Sequence, residues 1–272
     1  MKKSATTLVG AAVLGFILSG AAWDSLAQGV KSGKAEVRSA GEGARYSTTA
    51  NVWVPLKKGD KLPEGATIAS SSSPVDLSLE SSVVRVQPNT TVRLDKVSGG
   101  TASGVKIVDT QLNLVDGRVT ANIRKLAAGA RYEVKTPNGV AGIRGTKIDV
   151  RTYLIEGKRI TIYSVVEGTM DVAETTSSGV KTAVVNAGES FVVGDFPVGQ
   201  EINIPGVGKV TVGGPFKTPP SITPNPSEFV VIETKTTLDT GITVEPHTSP
   251  SNQPGGTTPT PTPNLNPPGE GG

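Results

Sequence analysis

Short runs of alternating apolar and polar residues fill the sequence from Gly29 to Val212, and they constrain the fold more than any other feature. Val75–Leu79 alternates strictly, and Gly, Pro, Asn and Asp residues separate this run from its neighbours. Successive side chains of a β-strand point to opposite faces, so such runs indicate half-buried strands. Turn pairs such as Asn138-Gly139 fit the tight connections between them. The sequence therefore predicts an all-β domain.

The predicted strands are all short. They are Val75–Leu79, Val83–Val86, Thr91–Leu94, Leu112–Val115, Val119–Ile123, Tyr132–Lys135, Thr146–Val150, Arg159–Val166, Thr169–Val172, Lys181–Val185 and Ser190–Val193. One segment, Asn122–Ala130, competes as a helix, but it is too short to be stable alone and we interpret it as a loop or a single turn. Glycine-centred turns recur between the strands at irregular spacing. This pattern favours a β-helix-like or β-roll stack of short strands, with a β-sandwich as the alternative.

The first 27 residues have the pattern of a secretory signal peptide. Lys2-Lys3 precedes an apolar run from Leu8 to Trp23, and Ser25-Leu26-Ala27 forms a small-residue cleavage site. The alternative is an uncleaved anchor, because the run is close to the length that spans a bilayer. We expect export to the periplasm or cell surface of a bacterium, with membrane association possible only through an uncleaved N-terminal segment. Residues 28–52 are interpreted as lead-in strands before the main domain.

The composition changes after Val212. Of the 20 prolines, 13 lie beyond Gly214, and the last residues contain almost no apolar side chain. Such a segment cannot bury enough surface to offset the entropy of ordering. Residues 213–272 are therefore predicted to be a Pro/Thr/Gly-rich linker and a disordered tail. Within them, Phe229–Thr236 is an isolated strand-like run that could pair with the domain edge or with a partner.

The sequence offers little for catalysis or for nucleic-acid binding. The formal net charge is only +3 and aromatic residues make up 4% of the chain, so neither a basic footprint nor a base-stacking platform is present. The single histidine, His247, lies in the Pro-rich tail, where it cannot serve a fixed catalytic arrangement. There is no cysteine and no metal-ligand or nucleotide-binding spacing. We predict no catalytic residue, no cofactor, no metal and no nucleic-acid partner.

One segment, Tyr132–Val150, concentrates glycine, proline and a single arginine. Its Thr136-Pro137 and Asn138-Gly139 pairs predict a turn, with proline fixing φ and Gly139 accepting the left-handed region. Further on, Gly142 and Gly145 flank the lone Arg144, and two such glycines indicate close backbone approach.

Two side chains in this segment have alternative interpretations. The guanidinium of Arg144 is suited either to the carbonyl groups of a neighbouring turn, which we favour, or to an anionic partner. The hydroxyl of Thr146 is expected to bind a backbone group at the start of the next strand. We predict a structural role for the whole motif, which consists of Thr136, Pro137, Gly139, Gly142, Arg144, Gly145 and Thr146.

The same residues resemble the signature of the FecR family. The most specific part is Lys135–Thr146, followed by Val166-Glu-Gly168 and Asn186–Glu189, and weaker similarity begins at Trp53 and continues to Val193. The resemblance implies a FecR-like β domain, which we assign to residues 53–212. In the best-known FecR-like proteins, a cytoplasmic anti-sigma segment and one membrane helix precede a periplasmic domain that senses an outer-membrane receptor. Here only Met1–Thr7 precede the apolar run, so we expect that cytoplasmic segment to be lacking.

The sequence thus favours an exported, non-enzymatic FecR-domain protein that serves as an interaction or sensing module of the cell envelope. The resemblance also suggests a link to envelope signal transduction. Its partner would be an envelope protein that the sequence does not identify. One alternative is a structural scaffold of the cell surface or matrix. A less favoured alternative is an envelope polysaccharide-binding protein, which would need Trp53, Tyr132, Tyr153 and Tyr163 to line one groove.

Overall fold

The structure is a computed structural model that describes residues 30–102, 105–176, 179–232, 236–237 and 243–244. The predicted signal peptide of residues 1–27, most of the predicted tail and His247 lie outside the described residues. The described residues up to Ile232 form one compact unit. Beyond it, the described residues form only a small ladder of two short strands, Thr236–Thr237 and Thr243–Val244.

Strands account for most of the described residues, and the prediction of an all-β fold is confirmed. The strands are β1 Val30–Ser32, β2 Ala35–Ala40, β3 Arg45–Thr49, β4 Val52–Pro55, β5 Lys61–Leu62, β6 Thr67–Ala69, β7 Val75–Leu79, β8 Ser82–Val86, β9 Thr91–Ala102, β10 Val105–Asp116, β11 Arg118–Ile123, β12 Arg131–Thr136, β13 Gly139–Ile143, β14 Lys147–Ile155, β15 Lys158–Glu167, β16 Thr169–Thr176, β17 Gly179–Asn186, β18 Glu189–Gly194, β19 Glu201–Ile204, β20 Gly208–Thr211, β21 Pro215–Lys217, β22 Thr236–Thr237 and β23 Thr243–Val244. A single 3-10 turn, η1 (Pro226–Glu228), is the remaining element of the described chain.

Two large sheets contain most of these strands. The first sheet has the order β17-β16-β13-β12-β10-β9-β6-β3-β4, with β1 also paired to β9. The second has the order β21-β18-β15-β14-β11-β8-β7-β2-β5. The chain passes repeatedly from one sheet to the other, usually after one hairpin, and both orders nearly follow the sequence. Short strands therefore stack in succession, as predicted, but they form two facing sheets. The fold combines features of the predicted stack and of the β-sandwich alternative.

The main core lies between the two sheets. It is formed by the inward side chains of both layers, such as Leu77 and Val84 from the second sheet and Val134 and Val172 from the first, which are fully or almost fully buried. Pairing is antiparallel throughout the two sheets except between β10 and β12, which run parallel. The alternation seen in the sequence has its physical cause here, because every second residue of a strand faces this core.

Residues beyond β18 form a third layer on the outer face of the second sheet. A second apolar cluster joins Ile160, Ile162 and Val192 of the sheet to Ile202 and Ile204 of the β19–β20 hairpin. The chain then continues through β21, which pairs with β18, and through η1. Residues 213–232, which their composition assigns to a linker, are thus packed against the domain. Their prolines do not prevent this, because the segment is held mainly by side chains of the sheet rather than by strand pairing.

Several features differ from the strand prediction. Residues 229–232, the first part of the strand-like run Phe229–Thr236, form no strand. Gly139–Ile143 is a strand, β13, whereas the sequence places this segment between strands. Glycine lowers strand propensity, but β12 and β16 flank β13 on both sides and its Ala141 and Ile143 enter the core. In addition, β9 and β10 extend into a long hairpin well beyond the predicted runs. Residues 124–130 form a loop, as predicted.

Candidate functional site

The motif begins at the hairpin between β12 and β13. Thr136 pairs with Gly139, so Pro137 and Asn138 form a two-residue connection. The Thr136 hydroxyl lies 2.8 Å from the Tyr163 hydroxyl. It also accepts a hydrogen bond from the Thr161 hydroxyl at 3.1 Å. These contacts join the first sheet to β15 of the second sheet, so this hydroxyl fixes the hairpin across the core.

Gly139 is needed for a different reason from the one predicted. Its φ is not in the left-handed region, so the predicted backbone conformation is wrong. Instead, a Cβ added at Gly139 would lie 2.8 Å from the carbonyl oxygen of Ala173 on β16, and 3.4 Å from the Tyr163 hydroxyl. Close approach of two strands, rather than turn geometry, excludes a side chain here.

Gly145 and Thr146 form the junction between β13 and β14. Gly145 has a φ of +105°, and a Cβ there would lie 2.6 Å from the Cα of Lys125. Thr146 is buried, and its backbone exchanges two hydrogen bonds of 3.0 Å with Ile123. Its hydroxyl donates to the carbonyl oxygen of Thr169, the first residue of β16, at 3.0 Å. Both residues are thus held by contacts within the chain.

Gly142 and Arg144 are held by no such contacts. Ala141 and Ile143 face the core, so Gly142 lies on the opposite, outer face of β13. A Cβ at Gly142 would meet only the carbonyl oxygen of Asp171, at 3.8 Å, which is an ordinary contact. Arg144 is exposed, and among the described residues its side chain makes no hydrogen bond or ion pair. The favoured interpretation, in which Arg144 binds carbonyl groups of a neighbouring turn, does not match this geometry.

The surroundings of Gly142 form a shallow surface on the outer face of the first sheet. Val140 pairs with Ala173, and Gly142 pairs with Asp171, which in turn pairs with Val184 of the edge strand β17. Val184 is 58% exposed. We call this surface, formed by Val140, Gly142, Arg144, Asp171, Ala173 and Val184, the motif face. Small side chains and a glycine at its centre would allow another backbone to approach closely.

A buried carboxylate lies behind the hairpin. Glu174 pairs with Gly139 in the ladder, and one of its two carboxylate oxygens, Oε2, has no hydrogen-bond partner among the described residues. Burial raises the pKa of Glu174, while the backbone N–H of Gly194 and the charge of Lys181 oppose that rise. Burial also raises the pKa of Tyr163. Neither group is accessible to a substrate, since both side chains are almost fully buried.

Sequence reasoning did not find this carboxylate as a special group. Its position in a run of alternating residues resembles that of any strand residue. In the described part of the chain, no group of three or more His, Cys, Asp or Glu residues could hold a metal ion. None of the helical segments described is long and apolar enough to cross a membrane.

The four aromatic residues proposed for a polysaccharide groove do not share a face. Tyr132 and Tyr163 are buried in the main core, where the Tyr132 hydroxyl lies 3.0 Å from that of Ser82. Tyr153 packs against the second apolar cluster. Only Trp53 of the four is well exposed, at 40%, with the guanidinium of Arg45 5.0 Å from its ring centre. An aromatic platform for sugar rings is therefore not assembled from these residues.

Comparison with known protein families found a match for part of the chain. Residues 68–171 match the family described as FecR protein, which confirms the resemblance over the span from β6 to β16. The whole motif, from Thr136 to Thr146, lies within this match. The comparison with curated proteins found no match.

Two crystal structures of a candidate anti-sigma factor from Parabacteroides distasonis ATCC 8503 are also similar. Each is 16% identical and is matched over 46% of this chain and 53% of its own length, with TM-scores of 0.35 and 0.36. The chain thus spans about half the length of these structures.

Proposed function

We propose that this chain, which matches the FecR family at residues 68–171, is an exported, non-enzymatic interaction or sensing module of the bacterial cell envelope. In this proposal its partner binds at the motif face. The FecR match supports a module related to signal transduction. The observation that carries the proposal is that the motif residues fall into two groups, those packed within the chain and those that face outward. Thr136, Gly139, Gly145 and Thr146 are accounted for by contacts within the chain, whereas Gly142 and Arg144 face outward with no contact that requires them.

The chemistry of the motif face indicates the kind of partner. Arg144 offers an exposed guanidinium with five N–H donors, which suits a carboxylate or a row of carbonyl groups. Beside it lie Val140, Ala173 and Val184, a small apolar area next to the exposed edge of β17. An envelope protein that presents an acidic side chain next to an apolar segment would fit this surface.

Site-specific cross-linking in cells of the source bacterium tests this proposal. A photoreactive amino acid at Val184 should capture a discrete protein, and Arg144→Ala should abolish that product. Leu154, which is 71% exposed and lies on β14 of the second sheet, is the matched cross-linking position. Lys217→Ala, on β21 of the second sheet, is the matched charge control. Loss of the product with Lys217→Ala as well, or its persistence with Arg144→Ala, would contradict a partner site at the motif face.

Export is tested separately. Mass spectrometry of the protein from the envelope fraction should show a mature N-terminus near Gln28 if the signal peptide is removed. A chain that begins at Met1 in that fraction would favour the uncleaved anchor, and recovery only from the cytoplasmic fraction would contradict export.

A structural scaffold remains the second candidate, because an edge of the first sheet is open. All four residues of β4 are exposed, and Val52, Trp53 and Val54 are apolar. An exposed apolar edge strand can pair with another chain. Concentration-dependent assembly of the purified protein, lost with Val54→Lys, would support this candidate. A chain that stays monomeric at high concentration would exclude it.

A further inference from the structure

A row of polar side chains crosses the outer face of the second sheet, on the side away from the main core. These side chains alternate with core residues along β2, β8, β11 and β14. We call this set the polar row, and it consists of Arg38, Arg85, Arg118, Thr120, Asn122 and Arg151. Two aspartates of the same face support it. Asp76 accepts two hydrogen bonds from Arg85, at 2.7 and 3.0 Å. Asp149, fully buried, accepts one from Arg118 at 2.7 Å.

The polar row holds an extended segment of the same chain, residues 222–231, which we call the strap. Five of the six side chains of the polar row donate hydrogen bonds to main-chain carbonyl oxygens of the strap. These contacts are Arg151 to Ile222 at 2.6 Å, Arg85 to Ser227 at 2.9 Å, Thr120 to Glu228 at 2.9 Å, Asn122 to Val230 at 3.4 Å and Arg38 to Val231 at 3.1 Å. Carbonyl groups are common to every residue type. Most of this recognition is therefore independent of the strap's sequence.

One side chain of the strap is recognised individually. The guanidinium of Arg118 donates to both carboxylate oxygens of Glu228, at 2.5 and 2.9 Å. Burial lowers the pKa of Arg118, but its ion pairs with Glu228 and Asp149 outweigh this and raise the pKa overall. The hydrogen bond from Arg118 lowers the pKa of Glu228. A forked contact of this kind is specific for a carboxylate.

The charges of the surface favour an acidic occupant. The four arginines of the polar row and the two aspartates, Asp76 and Asp149, leave a formal charge of +2 (four minus two), which Glu228 reduces to +1. No negatively charged residue other than Glu228 lies within the strap itself, which runs Ile-Thr-Pro-Asn-Pro-Ser-Glu-Phe-Val-Val. An extended peptide with one well-placed carboxylate thus matches both the shape and the charge of the surface.

The strap belongs to neither large sheet. Its one regular element is the short turn η1, so its departure would break no strand pairing. Asn225, Pro226 and Ser227 are exposed, and so is Val231. Asn225, which follows Pro224, has an extended backbone with φ −68° and ψ 141°, and Pro226 then begins the turn η1. The two prolines restrict the backbone of the segment on both sides of Asn225. The strap thus lies on the sheet as a bound peptide does.

We propose that the polar row is a binding site for an extended acidic peptide of another polypeptide, and that the strap occupies this site in cis. The incoming segment supplies a carboxylate to Arg118 and main-chain carbonyls to the other donors. Because the strap is tethered beside the site, it competes at an effective concentration on the order of millimolar. The site therefore responds only to a partner that is abundant, or when the strap is weakened.

A peptide-binding experiment on the full chain tests this proposal. The probe is a fluorescein-labelled peptide of residues 219–232, and binding is followed by fluorescence anisotropy. The full chain with Glu228→Ala, whose strap has lost its ion pair, should bind the peptide at least tenfold more tightly than the unaltered chain does. A peptide with Glu228→Gln should bind that variant at least tenfold more weakly. Added salt should weaken binding of the unaltered peptide to the Glu228→Ala chain, because it screens the ion pair with Arg118.

The matched control is Glu201→Ala, which removes another acidic side chain, paired with Lys209 at 3.1 Å in the β19–β20 hairpin. This variant should bind the peptide no better than the unaltered chain. Circular dichroism and urea unfolding establish that each variant is folded. Equal binding of the Glu and Gln peptides by the Glu228→Ala chain would overturn the proposal. So would the absence of binding at millimolar peptide, since the strap would then be a fixed part of the fold.

Discussion

Replacement of Gly145 by alanine should destabilise the chain strongly, for two independent reasons. Its φ of +105° is a conformation that residues with a side chain rarely adopt, at a cost of about 1–3 kcal/mol. The added Cβ would also lie 2.6 Å from the Cα and 3.0 Å from the nitrogen of Lys125. These are backbone atoms, which cannot rotate away, and such overpacking costs about 1–3 kcal/mol. The expected loss is therefore roughly 2–6 kcal/mol.

Two further glycines separate these contributions. Gly157 has a φ of +76° with nothing within 4 Å of an added Cβ, so Gly157→Ala should cost only about 1–2 kcal/mol. Gly142 has neither a positive φ nor a close neighbour. Gly142→Ala should change stability by less than about 1 kcal/mol, and it can be stabilising because alanine restricts the unfolded chain. Binding to a partner at the motif face should nevertheless weaken.

Equilibrium unfolding in urea measures this series, with thermal unfolding as a second probe. A loss of about 2 kcal/mol corresponds to roughly 4–8 °C in Tm for a domain of this size. The expected order of destabilisation is Gly145→Ala, then Gly157→Ala, then Gly142→Ala. Similar losses for Gly145→Ala and Gly142→Ala would refute the division of the motif into internally packed and outward-facing residues.

Three further predictions concern buried polar groups. Glu174→Gln should stabilise the chain by about 1 kcal/mol at pH values above the folded pKa of Glu174, because the buried carboxylate is then charged with one oxygen unpaired. Since folding raises the pKa of Glu174, the stability that its protonation contributes is fully present below its ordinary value of 4.5 and is lost as pH rises through the folded pKa. The advantage of the Gln variant, followed by urea unfolding at several pH values, should therefore shrink as pH falls through the folded pKa and be absent below pH 4.5. Tyr163→Phe removes the hydroxyl that lies beside Thr136 and should cost about 1 kcal/mol, and no change in the urea midpoint would show that this contact does not hold the hairpin. Asp149→Asn leaves two arginines without their buried carboxylate and should cost about 3 kcal/mol, so a midpoint unchanged from that of the unaltered chain would contradict the ion network.

The motif shows how far sequence reasoning reaches at the level of single residues. The turn at Pro137 matches the expected geometry. The Thr146 hydroxyl binds a backbone carbonyl as expected, but at the start of β16 rather than of the next strand. The reason for Gly139 differs, because the atom that excludes its Cβ belongs to Ala173, which lies far along the chain. Arg144 differs as well, since it is exposed and its side chain makes no hydrogen bond to a turn carbonyl among the described residues. For Gly139 the deciding neighbour comes from another strand, which local spacing does not identify, and for Arg144 the exposure of the side chain depends on the tertiary structure.

Alternation of apolar and polar residues by itself determined that this protein is all-β and where most strands lie, because one face of each strand must enter a core. The glycine-rich motif likewise predicted the match to the FecR family over residues 68–171, since its residues are consecutive in the chain. The tertiary structure alone decided that residues 213–232 pack onto the second sheet, and that Glu228 meets Arg118, 110 residues away. The physical reason is that these contacts depend on the order and register of strands. Composition indicates how much surface a segment can bury, but it does not show which hydrogen-bond donors of the fold will lie beside its carbonyl groups.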